Sequence, residues 1–369
     1  MKRLVIHPGF HKSGTTALQQ SLHENRGKLL ELGISYPFPR FRAHHRIAWS
    51  LSQRVWGWQK RGGSKESPKL WRRAVRAINR DTSGTTVISS EFFSEIDIEK
   101  IKELRNSIKG KEIDVVFTLR PLAKVLSSSY QQYLKYGLKA DYKEWLHSIF
   151  DVPGESKLNP TFWKRHMHGT VIANWAEVFG AKHITVIIVD EKRPEFLFDS
   201  INDYLRIPRE TLITPNKRLN RSLTTEEISL LLEINRNFPK ERSWDQYELF
   251  IRNGFIRELT DNTTVAEGKE FLLTPEWAIE KANNLGSQFK RELTDLNINV
   301  IGDIDSLDKA QVPSGESLLP KTIDINTAAS AMLSIDKNLW GGAPLIWMRR
   351  NFVFRVRRWF KTSFSPKRI

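Results

Sequence analysis

Lys12, Glu91 and Arg120 are the residues best placed to do chemistry, because each follows a short apolar run. Lys12 lies in Val5-Ile6-His7-Pro8-Gly9-Phe10-His11-Lys12-Ser13-Gly14-Thr15-Thr16. That pattern predicts a buried strand, a Gly-bounded loop and a helix opening at Gly14-Thr15-Thr16-Ala17-Leu18. Such a turn aims backbone N–H groups and the positive end of a helix dipole at one point, a cradle for a phosphate-like anion. An ordinary Gly-containing turn would explain the same residues. Arg120-Pro121 closes a second run, Asp114–Leu119, and Ser128 follows roughly two helical turns later. A guanidinium fork with a nearby hydroxyl suits a phosphate monoester, although an Arg at a sheet edge can also serve as a cap or an ion-pair partner.

Glu91 sits in Val87-Ile88-Ser89-Ser90-Glu91-Phe92-Phe93. A carboxylate after a buried strand, flanked by aromatics, is expected to be desolvated, with a raised pKa and general-base character toward an acceptor hydroxyl. A helix N-terminal charge or an ion-pair role is the plainer alternative. His44-His45 is the rival base; adjacent histidines point to different sides, so at most one enters the site, and His45 is carried forward with Glu91.

A nucleotide-binding P-loop wants Gly, four residues, Gly, Lys, then Ser or Thr. Here Thr15 follows the second glycine and the lysine comes earlier, at Lys12, so it would reach the cradle from the loop. The Lys12–Thr16 run resembles the 5′-phosphosulfate loop of sulfotransferases that use 3′-phosphoadenosine 5′-phosphosulfate (PAPS). Arg120 and Ser128 match the spacing of that family's 3′-phosphate motif. Ser89-Ser90-Glu91 is similar to segments of bacterial sulfotransferases and heparan N-sulfotransferases, where a Glu is assigned as base; cytosolic small-molecule members use a His there. Tyr36-Pro37 with His44-His45-Arg46-Ile47-Ala48, and Ser128-Ser129-Tyr130-Gln131-Gln132-Tyr133, also resemble bacterial members. The Asn216–Leu223 stretch resembles the segment that closes over the nucleotide, but it lacks the Arg-Lys-Gly triplet of the small-molecule branch.

This resemblance covers residues 1–240 and points to the bacterial carbohydrate-type branch. It implies PAPS as donor with no metal, and a saccharide or glycolipid hydroxyl as acceptor. His11, Lys12, Ser13, Gly14, Thr15 and Thr16 would hold the 5′-phosphosulfate, and Lys12 would stabilise the leaving oxygen. Arg120 and Ser128 would take the 3′-phosphate, with Asn220 and Arg221 adding contacts. Glu91 or His45 would accept the proton, and Trp175 or Trp56 would stack on adenine.

The elements that must position these residues follow from apolar runs alternating with helical stretches. Leu4–His7, Gly33–Pro37, Thr85–Ser90, Ile113–Leu119 and Ile184–Val189 predict strands of a parallel, P-loop-like α/β sheet flanked by helices. In such sheets ligands sit beyond the carboxyl ends of the strands. Thr224–Asn237, Trp244–Leu259 and Pro275–Leu293 predict helices, the last with Thr274 as N-cap, and Asp303–Lys321 reads as loop. The expected organisation is an α/β domain over 1–240, a helical continuation of the same domain over 241–310, and a linker with a basic amphipathic extension over 311–369.

The 369 residues carry a net charge of +16 and no cysteine, which excludes disulfides and thiolate metal sites and favours anionic partners. No apolar stretch is long enough to span a bilayer and the N-terminus does not read as a signal peptide, so the expectation is a cytoplasmic protein. From Trp347 to Ile369 there are eight Lys or Arg and no acid. Phe352, Val353, Val356, Trp359 and Phe360 share one helical face there, which suits an anionic membrane surface. A terminal helix docked on its own domain fits equally well. The basic, Trp-containing stretch Arg54–Arg80 reads as a solvated helix face, and no nucleic-acid module accompanies it. Two other functions stay open: a P-loop kinase or nucleotidase, and a non-catalytic basic adaptor for membranes or nucleic acid.

Overall fold

A computed structural model describes residues 2–54, 65–152, 156, 158–215, 221–262, 265, 268–325, 327–329, 332–333, 352–353 and 356. Its strands are β1 (Arg3–His7), β2 (Ile34–Ser35), β3 (Thr85–Ser89), β4 (Glu112–Leu119), β5 (Ile184–Ile188) and β6 (Asn299–Ile301). They form one six-stranded sheet in the order β2-β3-β1-β4-β5-β6, with every pairing parallel. The helices α1 (Thr15–Glu24), α2 (Arg26–Glu31), α3 (Ala43–Ser52), α4 (Pro68–Arg80) and α5 (Ile98–Ser107) come before β4. Between β4 and β6 lie α6 (Leu122–Leu134), α7 (Tyr142–Phe150), α8 (Phe162–His166), α9 (His168–Phe179), α10 (Phe196–Leu205), α11 (Thr225–Asn237), α12 (Trp244–Tyr247) and α13 (Glu276–Asp295).

The strands are apolar on both faces because both faces are covered. Leu4 and Ile6 of β1 join Ile88, Val115, Phe117 and Val186 in a core closed by Ile47, Trp71, Leu104 and Trp175 from helices α3, α4, α5 and α9. Val5 points the other way, with Val87, Val116 and Ile187, against Leu18 and Leu22 of α1 and Ile201 of α10. The chain fills β1, β2 and β3 on one side and then crosses to β4, so β1 sits where the order reverses.

Two compact units are present. One comprises Met1–Leu134, Leu138–Arg218 and Leu272–Leu318 and contains the whole sheet. The other comprises Lys135–Gly137, Leu219–Phe271 and Leu319–Ile369. Within it, Thr224 and Glu227 form a capping box at the start of α11. The Arg252 guanidinium lies 4.1 Å from the Tyr136 ring centre, and Trp244 stacks on the same ring at 6.0 Å.

Several expectations need correction. β6 was not foreseen: three residues, at most half-buried, give too short an apolar run to register. The helix expected from Trp244 to Leu259 is α-helical only to Tyr247 and widens to a π-helix over Glu248–Ile256. Pro275, not Thr274, stands at the N-cap of α13, its carbonyl accepting from the Ala278 and Ile279 N–H groups, and the Thr274 hydroxyl is bonded to Tyr142 Oη at 2.9 Å. Trp175 cannot stack on a nucleotide: it is fully buried between Phe117 and Phe179. Trp56 and nearly all of the C-terminal tail lie outside the described residues. Among the described residues, no helix is long and apolar enough to cross a membrane.

Burial lowers the pKa of His7 and His44 to about 4 and of His168 to about 3. An unfolded chain would take up these protons first, from about pH 6.5 downward, so stability is full above that pH and is lost as pH falls toward 4. His168 packs against Phe10 and Phe289, and its Nδ1 has no partner. His168→Phe is therefore expected to flatten the fall in melting temperature between pH 6.5 and 4 by several degrees; an unchanged pH profile would refute this.

Candidate active site at the carboxyl edge of the sheet

The loops after β1, β3 and β4, three neighbouring strands, carry Lys12, Glu91 and Arg120. In an open α/β sheet this edge, next to the reversal of strand order, is where ligands bind. Backbone bonds lace the loops together: Phe10 N–H donates to Thr118 O at 3.0 Å, and Ser90 N–H to His7 O at 3.0 Å.

Beneath the first loop runs a buried polar chain. Ser13 Oγ donates to Phe10 O at 2.7 Å and lies 2.8 Å from Thr118 Oγ1, which must therefore donate to it. Thr118 Oγ1 then accepts from His7 Nε2 at 3.1 Å, leaving His7 Nδ1 to accept from Ser89 Oγ at 2.7 Å. The direction is self-consistent only for neutral His7 protonated on Nε2, and its lowered pKa keeps it neutral. The hydroxyl of Ser13 is thus used inside the protein; the expectation that it faces a ligand is corrected.

The loop's backbone is unusual. Lys12 and Gly14 both take the left-handed conformation, at φ 68° and 84°. A non-glycine residue there is strained, and such strain persists where the surroundings over-determine it. At Gly9, φ 54°, a Cβ would meet Thr15 Cγ2 at 2.5 Å, so only glycine fits. Gly14 offers no side-chain cap, so the first-turn N–H groups of α1 at Thr15 and Thr16 remain for an outside acceptor.

Lys12 Nζ lies 3.3 Å from Gln132 Oε1. Burial and the nearby Arg120 lower its pKa to about 8, while Glu91 partly opposes them. Arg120 reaches the carbonyl of Lys12 with Nη1 at 3.5 Å and pairs through Nη2 with Glu191. Its Nε is buried without a partner. Glu191 also takes Lys124 Nζ at 3.2 Å. Ser128 turns its hydroxyl to Val125 O at 3.1 Å, within its own helix.

Glu91 opens a 3-10 turn after β3. Gln19 Nε2 of α1 donates to its Oε2 at 2.9 Å, and His45 Nδ1 lies 3.7 Å away. The expected rise in its pKa is reversed: burial alone would raise it, but His45, His11 and the Gln19 bond pull it below the ordinary value. Burial lowers the pKa of His45, whose Nδ1 also meets Ser90 Oγ at 2.8 Å. His44 turns away, bonded to Pro37 O at 2.7 Å and to the Ser89 N–H at 3.0 Å, so of the pair only His45 faces Glu91.

A second acid, Glu95, accepts from His11 Nε2 at 2.8 Å and Arg165 Nε at 2.9 Å. Burial would raise its pKa, but Arg165 and His11 more than offset this and hold it at about 2. Near Glu91 a shallow cleft is lined by Gln19, Tyr36, Phe41, His44, His45 and the exposed Arg40 and Arg42. Arg42 is left-handed at φ 66° and stands over the Phe41 ring at 5.6 Å.

Of the nucleotide-binding residues expected later in the chain, Arg221 is held by Glu227 through two bonds of 2.9 and 2.7 Å in the second unit, and Asn220 lies outside the described residues. Gln19, Glu95, Gln132, Arg165 and Glu191 were missed. Gln19 sits at i+4 from Thr15 on the buried side of α1, a signal open to reading. Gln132 lies in the segment already noted for its resemblance and Glu191 just beyond a predicted strand end, but neither position by itself shows its partner; Glu95 and Arg165 are brought in by tertiary structure from segments with no motif.

No protein-family model matches the chain, and no curated protein matches it. Among solved structures, it is similar to the crystal structure of a sulfotransferase from Alicyclobacillus acidocaldarius, at 15% identity. The superposition covers 64% of this chain and 92% of that one, with a TM-score of 0.41. A likeness of that size identifies neither a family nor an activity.

Thr118→Val removes the middle of the buried chain and leaves His7 and Ser13 with unpaired groups. The expected cost is about 1–3 kcal/mol in denaturant unfolding; a loss under about 0.5 kcal/mol would show the chain to be dispensable.

Proposed function

We propose that this protein is a sulfotransferase that moves the sulfuryl group of PAPS to a hydroxyl of a saccharide or glycolipid acceptor. The observation that carries this reading is the meeting of Lys12, Glu91 and Arg120 in one charge cluster after three adjacent strands. The donor has two separated anionic ends. The loop at Lys12–Thr16 fits one, through free helix N–H groups and a half-buried ammonium. Arg120, with a buried Nε lacking a partner, fits the other.

Sulfuryl transfer resembles loose phosphoryl transfer, so the demands are positioning, charge stabilisation and proton removal. Lys12 answers the charge that develops on the leaving oxygen. Glu91, kept ionised and aimed by Gln19, takes the acceptor proton; His45 beside it tunes that carboxylate. The cleft beside Glu91 receives the acceptor, and the arginines on its rim favour an acceptor that carries negative charge.

The competing reading is a P-loop kinase or nucleotidase. It needs a lysine after Gly14, where Thr15 stands, and an Asp free to hold magnesium. Asp190 after β5 is already bonded to Arg193 at 2.9 Å and to the Lys192 N–H at 2.9 Å. A cytoplasmic location and peripheral membrane contact through the basic tail belong to the same proposal.

3′,5′-ADP is expected to raise the melting temperature more than ADP with magnesium; the reverse order would favour the kinase. Sulfate transfer from PAPS to glycan acceptors should fall about 10²–10⁴-fold in kcat for Glu91→Gln. If His45→Gln alone has that effect, the proton goes to His45. With Lys12 titrating near 8, affinity for 3′,5′-ADP should decline as pH rises through 8, with proton uptake on binding there. Lys12→Met should abolish that pH dependence.

A further inference from the structure

Glu191 has no place in the mechanism above, yet it holds both cations best placed for a phosphate monoester. It follows β5 in the loop Val189-Asp190-Glu191-Lys192. One carboxylate oxygen pairs with Arg120 Nη2 and the other with Lys124 Nζ at 3.2 Å. The neighbouring Asp190 is turned to Arg193 and the Lys192 N–H, so the bridge belongs to Glu191 alone among the acids of this loop. The Glu191 side chain is one-third exposed, which leaves it free to swing into solvent.

We propose that Glu191 is a displaceable internal anion: its carboxylate holds Arg120 and Lys124 at the 3′-phosphate position and must give way to that phosphate. This rests on the nucleotide reading of the site. A carboxylate brings one negative charge to two cations and leaves Arg120 Nε without an acceptor. A phosphate monoester brings a charge of about −1.5 to −2 and three acceptor oxygens, enough for Nε, Nη2 and Lys124 Nζ together. A nucleotide with a 3′-phosphate therefore displaces the bridge. One lacking it leaves the bridge closed and gains nothing from Arg120 or Lys124. The cost of opening is charged only to the correct ligand, as a reduced apparent affinity.

Calorimetry with 3′,5′-ADP and 5′-AMP at fixed salt tests this on the full chain and on two variants. Glu191→Gln is expected to tighten 3′,5′-ADP roughly fivefold and leave 5′-AMP unchanged. Lys124→Gln should weaken 3′,5′-ADP alone. Weaker 3′,5′-ADP binding by Glu191→Gln would mean that Glu191 contacts the ligand directly, and would overturn the proposal. So would an equal change for both nucleotides, or identical 3′,5′-ADP affinity with and without the carboxylate. If neither the full chain nor Glu191→Gln binds 3′,5′-ADP at all, the nucleotide reading itself falls.

Discussion

The site depends on a row of hydrogen bonds running across three strands, from Ser89 through His7 and Thr118 to Ser13 and the Phe10 carbonyl. Every donor in it meets an acceptor, and it closes one end of the sheet face that carries Val5, Val87, Val116 and Ile187. Such a row is stabilising only when complete, since one missing partner leaves a buried polar group unpaired. It also ties the loop after β1 to β4, which fixes where Lys12 stands relative to Arg120. The strained backbone at Lys12 is held by this anchorage and by the close packing at Gly9.

The second theme is charge held in balance. Lys12, Arg120 and Arg165 are cations in a partly dry pocket, and Glu91, Glu95 and Glu191 offset them. The three acids do different work. Glu95 is locked by two partners and fixes His11 and Arg165 in place. Glu91 is held by an amide and stays open to a proton. Glu191, on a loop at the surface, is the one that can leave.

Much of this was legible in the sequence. Unbroken apolar runs gave β1, β3, β4 and β5, because buried parallel strands show no alternation. The glycine spacing gave the loop, and the segments that follow the strands gave Lys12, Glu91 and Arg120. What escaped depends on tertiary structure. The direction of the Glu91 shift could not be read, because burial and charge act in opposite senses and their balance rests on His45, His11 and Gln19. Ser13 looked like a ligand contact because its position suits one, but Thr118, more than a hundred residues later, claims its hydroxyl. Arg165 stands on a helix with no motif around it, and β6 is too short to register.

β6 has one further consequence. β5 ends at Ile188 and its outer neighbour begins only at Asn299. While the chain is being made, the backbone of β5 stays an open ribbon edge until that late segment emerges from the ribosome. An unpaired edge is a template for the wrong strand. A chain stopped short of residue 299 would keep the whole candidate site described above, and yet leave the ribosome with a sheet ready to stick to its neighbours.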